Sequence, residues 1–161
     1  MTKTISNADK FAAEFRTGFE ELPCSRRFTP EQLEVLYGLG YAQAQLEHWD
    51  KALPIFTFLS QYGPTRQHYL AGLALCLQKV GRYDEAINIY SLMLVLFADR
   101  LDPSLRIAEC QLAQGHLADA LNTLRQLDLA LADSDPLKTR ARALLQHLSV
   151  NAVPDGNPGG N

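Results

Sequence analysis

The stretch Gly81-Arg82-Tyr83-Asp84-Glu85-Ala86 decides how this chain is read. A glycine suits the end of a helix, because it takes the left-handed backbone conformation without a Cβ penalty. The acids that follow suit the start of the next helix, where the macrodipole favours negative charge. Working outward, several positions of the stretch and its surroundings return at a fixed interval. Ala52, Ala86 and Ala120 recur every 34 residues, as do Trp49, Tyr83 and Leu117, and Phe56, Tyr90 and Leu124. Gly40, Ala74 and Ala108 form an all-small set in the same period, and Pro30 pairs with Pro64. Gly81 and Gly115 share a register that Glu47 occupies in the first copy, and Cys76 and Cys110 share one with Ala42.

Thirty-four is the period of the tetratricopeptide repeat, a pair of antiparallel helices whose consensus the stretch resembles almost letter for letter. The small residues let the two helices of a hairpin approach, and the bulky ones fill the space between hairpins. No hairpin buries its apolar face alone, so neighbours stack. The expected fold is all-α: three tandem repeats over about 33–66, 67–100 and 101–134 in a right-handed superhelix, closed by a capping helix at 136–149. Thr29-Pro30-Glu31-Gln32 predicts a helix start with a capping box. Asp102-Pro103 and Asp135-Pro136 predict two more capped starts. Helices are expected at about 30–46, 49–61, 66–80, 83–97, 102–114, 117–131 and 136–149. Pro54 falls inside the second and predicts a kink or an opened turn, because proline removes a backbone hydrogen bond.

Residues 1–28 read as an N-terminal extension carrying an amphipathic helix, with Phe11, Phe15, Phe19 and Leu22 on one face. That face is expected either to dock on the first repeat or to make a homodimer contact. The Gly/Pro-rich tail 151–161 predicts disorder. A net charge of −3 offers no basic field for nucleic acid. The longest apolar run, from Ser91 to Ala98, is far short of the roughly 20 residues of a membrane span. The N-terminus lacks a signal peptide's apolar core, so a cytoplasmic protein is expected.

The inner faces of the first helices of each repeat make the concave surface of such a solenoid. By register, the first copy presents Glu34, Tyr37, Tyr41, Ala44 and Gln45 there. The second presents His68, Ala71, Leu75, Gln78 and Lys79, and the third Asp102, Leu105, Glu109, Leu112 and Ala113. Some tetratricopeptide domains grip a partner's terminal carboxylate with Lys, Arg and Asn, but Tyr37, Tyr41 and Leu75 stand at those places. The surface is apolar and aromatic, with Ala44 and Ala71 leaving room for pockets, and suits an extended peptide with spaced apolar anchors.

Chemistry for catalysis is not evident. Cys110 and His116 are close in sequence, yet Cys110 belongs to a repeat column and His116 to a turn. No metal-ligand spacing and no phosphate loop appear, so neither metal nor cofactor is expected and binding is the predicted work.

From Thr29 to Leu148 the chain resembles the class II chaperones of bacterial type III secretion, which hold the translocator proteins. The segments that carry the likeness are Leu36-Tyr37-Gly38-Leu39-Gly40-Tyr41, Ala71-Gly72-Leu73-Ala74, Gly81 to Ile87, and Ala108-Glu109-Cys110-Gln111-Leu112. The resemblance implies a cytoplasmic chaperone of a Gram-negative bacterium. Its clients would be the pore-forming translocators, kept soluble and apart before secretion. A client segment of the Pro-x-Leu-x-x-Pro kind would lie in the groove. Tyr37, Tyr41, Ala44, Tyr62 and Leu75 would line or border it, with His68, Ala71, Leu105 and Glu109 on the same surface. The resemblance also implies a homodimer, with Phe11, Phe15, Phe19, Phe58 and Tyr62 as contact candidates. A generic repeat adaptor or regulatory scaffold is the alternative reading of the same solenoid.

Overall fold

The computed structural model describes residues 27–151. The Phe11, Phe15 and Phe19 helix and the tail beyond residue 151 lie outside the described residues. Seven helices follow in order: α1 (Pro30–Gln45), α2 (Trp49–Tyr62), α3 (Gln67–Lys79), α4 (Tyr83–Leu96), α5 (Asp102–Ala113), α6 (Leu117–Ala130) and α7 (Pro136–Asn151). The described residues contain no strand, and no helix among them is long and apolar enough to cross a membrane. Each helix packs on the next, α1 also meets α3, and α5 also meets α7. That is the contact pattern of stacked hairpins, as the period requires.

Local chemistry sets the helix ends. The Thr29 hydroxyl accepts from the Gln32 amide at 3.3 Å, and the Gln32 side chain accepts from the Thr29 amide at 2.9 Å. Two orphan donors at the start of α1 are thereby satisfied. Asp135 accepts from the Leu137 amide at 2.7 Å and caps α7 as expected. Asp102 differs: it lies inside α5, after Leu101, and its carboxylate takes the Arg100 guanidinium at 3.0 Å rather than a backbone amide. Pro54 also departs from expectation, since α2 runs unbroken from Trp49 to Tyr62. The amide that proline lacks would have met the carbonyl of Asp50, a solvent-exposed residue, where water takes the donor's place.

The three repeats turn alike. Glu47, Gly81 and Gly115 all have positive φ, at 57°, 81° and 80°. In each turn the following amide reaches back five residues, Arg82 to Leu77 at 2.9 Å being one case. This is the Schellman arrangement, in which the left-handed residue lets the last carbonyls of the helix find donors.

The small columns are the contact points. Ala52, Ala86, Ala120, Ala74 and Ala108 are fully buried, and so are Cys76 and Cys110. One core runs through the first two repeats to Ile107 and Cys110. A second lies beneath α7, where Leu105, Leu124, Leu127 and Ala141 are buried together.

The first copy differs in one respect. Tyr69, Leu73 and Cys76 on α3 are buried against the preceding hairpin. Their counterparts on α1, Val35 and Leu39, are 74% and 50% exposed, and Leu46 beyond them is 63% exposed. Among the described residues no helix precedes α1, and none of them covers this apolar stripe.

Glu47 occupies a backbone conformation that costs a non-glycine residue about 1 kcal/mol. Glu47→Gly is therefore expected to raise the unfolding free energy by about 0.5–1 kcal/mol in urea denaturation. Gly81→Ala is expected to lower it by about 1 kcal/mol, although a Cβ there would meet nothing within 4 Å.

Candidate functional site

The inner faces of α1 and α3 enclose a cavity of about 540 Å³. Tyr37, Tyr41 and Ala44 come from α1, and His68, Ala71 and Leu75 from α3. All six were placed on this surface by register, and the structure brings them together. Its depth comes from a contact that register did not reveal. A Cβ built on Gly72 would lie 2.2 Å from Phe56 Cε1, and one on Gly40 would lie 3.3 Å from Phe56 Cε2. The ring of Phe56 thus reaches the backbone of both flanking helices and forms the cavity floor, with Gly72 beside it.

Aromatic rings build the wall at the start of α1. Tyr37 meets Phe56 edge-on at 6.0 Å, Tyr41 at 6.2 Å, Tyr69 at 5.9 Å and His68 at 4.8 Å. Such offset and T-shaped pairs stiffen a pocket wall beyond what area burial alone would do. Burial raises the pKa of the Tyr37 hydroxyl, with Tyr41 and Glu34 adding to it. Tyr69 is pushed up to about 12, first by burial and then by donating to Glu34 Oε1 at 3.1 Å. Both phenols stay neutral at physiological pH. The same Glu34 oxygen lies 3.4 Å from His68 Nε2.

Gln45, Glu47, Trp49, Lys79 and Arg106 complete the lining. The Lys79 ammonium lies 5.7 Å from the Trp49 ring centroid. Arg106 stands in the register of Gly38 and Gly72, so the third copy puts a long cation where the first two have glycine. Glu109 orients it: Arg106 Nη1 donates to Glu109 Oε2 at 3.0 Å, and Gln78 Nε2 donates to the same oxygen at 3.3 Å. Gln78 in turn accepts from the Tyr90 hydroxyl at 3.0 Å.

Three expected residues lie elsewhere. Leu105 is 2% exposed and belongs to the core under α7, because α7 folds back on α5 and covers that register. Glu109 is half-buried and acts on Arg106 rather than facing the cavity. Tyr62 does not border the cavity. Its ring packs on Phe28 at 4.8 Å and on Phe58 at 4.6 Å, and Phe28 lies 5.3 Å from Phe58. Phe58 and Tyr62, expected at a copy–copy contact, pack on Phe28 of the same chain and stay partly exposed. Phe56, Trp49, Gly72 and Arg106 were missed as lining residues. The signal available for the last two was the Gly38-Gly72-Arg106 column itself.

The two thiols among the described residues are inert at neutral pH. Cys76 and Cys110 are fully buried, and burial pushes each up to about 11, so neither is a thiolate at neutral pH. His116 is exposed in the α5–α6 turn.

Comparison with known proteins agrees with this geometry. The tetratricopeptide repeat model matches residues 77–148. Low calcium response locus protein H of Yersinia pestis is 27% identical over 139 residues, covering 84% of this chain and 83% of that protein. PcrH of Pseudomonas aeruginosa, solved with the chaperone binding region of PopD, is 31% identical with a TM-score of 0.68, over 78% of this chain and 97% of that one. The chain belongs to the class II chaperones of type III secretion. SycD of Yersinia enterocolitica, a translocator chaperone solved with a peptide of the translocator YopD, is 28% identical with a TM-score of 0.69, over 78% of this chain and 98% of that one. SycD has also been solved as an alternative dimer.

Gly72→Val puts atoms where the Phe56 ring stands. It is expected to lower stability by about 1–3 kcal/mol through overpacking, measured by thermal unfolding.

Proposed function

We propose that this chain holds the translocator proteins of a type III secretion apparatus in the bacterial cytoplasm, by seating an extended segment of each in the cavity between α1 and α3. The observation that carries the reading is the aromatic, glycine-floored cavity of about 540 Å³ on the concave face. Its walls suit two or three apolar side chains spaced along a stretched backbone, as in a Pro-x-Leu-x-x-Pro segment. Each buried Leu- or Pro-sized anchor contributes about 1–3 kcal/mol, offset in part by the ordering of the segment. The complexes of PcrH and SycD with translocator segments support this use of the fold. The work is binding, not catalysis: the client's apolar segments stay covered until export.

Co-expression with a translocator is the test. The client is expected in the soluble fraction with the wild-type chain and in the pellet with Tyr41→Glu, which sets a carboxylate in the cavity wall. A client that stays insoluble beside the wild-type chain overturns the reading.

We further propose a homodimer built on the end of the solenoid that the described residues leave uncovered. Val35, Leu39 and Leu46 form that face, and the existence of a SycD dimer supports pairing in this family. Phe11, Phe15 and Phe19 would add to the same contact, whereas Phe58 and Tyr62 are already packed on Phe28. Leu39→Glu is expected to halve the mass seen by sedimentation, and an unchanged mass for Leu39→Glu and for a chain lacking residues 1–28 would remove both surfaces.

A further inference from the structure

The cavity is apolar at its middle and charged at its ends, and its charges are unequally satisfied. At the start of α1 and α3, Glu34 accepts from Tyr69 and faces His68. At the far end of α3, Lys79 lies in the last turn, in the register of Gln45 and Ala113. Its ammonium sits against Trp49, 5.7 Å from the ring centroid. That contact orients the charge without neutralising it. Among the described residues no carboxylate lies within ion-pair distance of Lys79, and Glu47, which lines the same cavity, forms no pair with it. Arg106 is held at 3.0 Å by Glu109, but Arg140 shares that carboxylate from 4.0 Å. One carboxylate thus faces two guanidiniums, and Lys79 has none.

We propose that Lys79 is an acidic-residue subsite of the groove, taking the carboxylate of an Asp or Glu that lies beside the apolar anchors of the bound segment. The inference rests on the peptide-binding reading of this cavity. A peptide laid over the aromatic wall removes water from the Lys79 ammonium, and a desolvated charge needs a partner. A carboxylate supplies it. A basic residue at that place meets the Lys79 ammonium and is disfavoured, so the site selects among segments with the same anchors. It also sets direction, because the Lys79 end and the Glu34–His68 end are unlike.

The test uses the full chain and fluorescein-labelled synthetic peptides of the Pro-x-Leu-x-x-Pro pattern, in which each x in turn is Glu or Gln and the others are Ala. Binding is read by fluorescence anisotropy at low salt. At one position the Glu peptide is expected to bind about three- to fivefold tighter than its Gln partner, with the preference shrinking at high salt. Lys79→Gln is expected to abolish that ratio and Lys79→Glu to invert it. Equal binding of every Glu and Gln pair overturns the inference while leaving the groove in place. So does a preference that survives Lys79→Gln and disappears in Arg106→Gln. Failure of all the peptides to bind the wild-type chain overturns the groove reading and the subsite with it.

Discussion

The approach of the Phe56 ring to the Gly72 backbone is the contact on which the rest depends. A side chain of α2 lies where a Cβ of α3 would be, 2.2 Å from Phe56 Cε1, so the first two hairpins stack at a distance only glycine permits. The same ring touches the space above Gly40 on α1. Phe56 therefore joins the two helices within one repeat and the two repeats to each other. Phe56 is buried, 2% exposed, yet it also lines the cavity on the concave face. Packing that closes the core and packing that floors the cavity are one contact seen from two sides.

The helices were legible because their determinants are local. A 34-residue period, capping residues beside prolines, and glycines at the turns each act within a few residues. The ends of α1, α2 and α4 accordingly fall within about one residue of expectation. Asp102 misled for a local reason too: Arg100, two residues away, competes for its carboxylate. Pro54 misled because its effect depends on which face of α2 it occupies, and exposure is a tertiary property.

The site was legible as far as register reaches. Tyr37, Ala71, Tyr41 and Leu75 lie together because equivalent positions of parallel first helices must be neighbours. Leu105 shares the register of Tyr37 and Ala71 but not their surroundings, since α7 covers only the third repeat. A repeat column describes an average environment, and the ends of a solenoid are where the average fails. Tyr62 illustrates the same point at the other end, where Phe28, which precedes the first repeat, occupies its ring. Phe56 and Trp49 were assigned to the space between hairpins, and they do fill it. What the columns omit is that these two rings also line the cavity, beside Gly72 and Ala71.

The two ends of the solenoid are unequally supported, and the cavity lies at the weaker one. At the C-terminal end, α7 lays Leu144, Leu145 and Leu148 on the core. Lys138 is buried there, donating to the Leu131 carbonyl at 2.8 Å and pairing with Asp133 at 3.0 Å. The first repeat has Glu47 in a left-handed turn, a proline inside α2 and an apolar stripe that no helix among the described residues covers. Regions with few covering contacts open first, and binding surfaces are commonly drawn from them. A segment seated between α1 and α3 touches both hairpins at once, adding to the first repeat the cross-repeat contacts it has on only one side. Anything that binds the folded form alone stabilises it in proportion to how far its concentration exceeds its dissociation constant. An occupant of the groove would, by this logic, add to the packing of the first repeat.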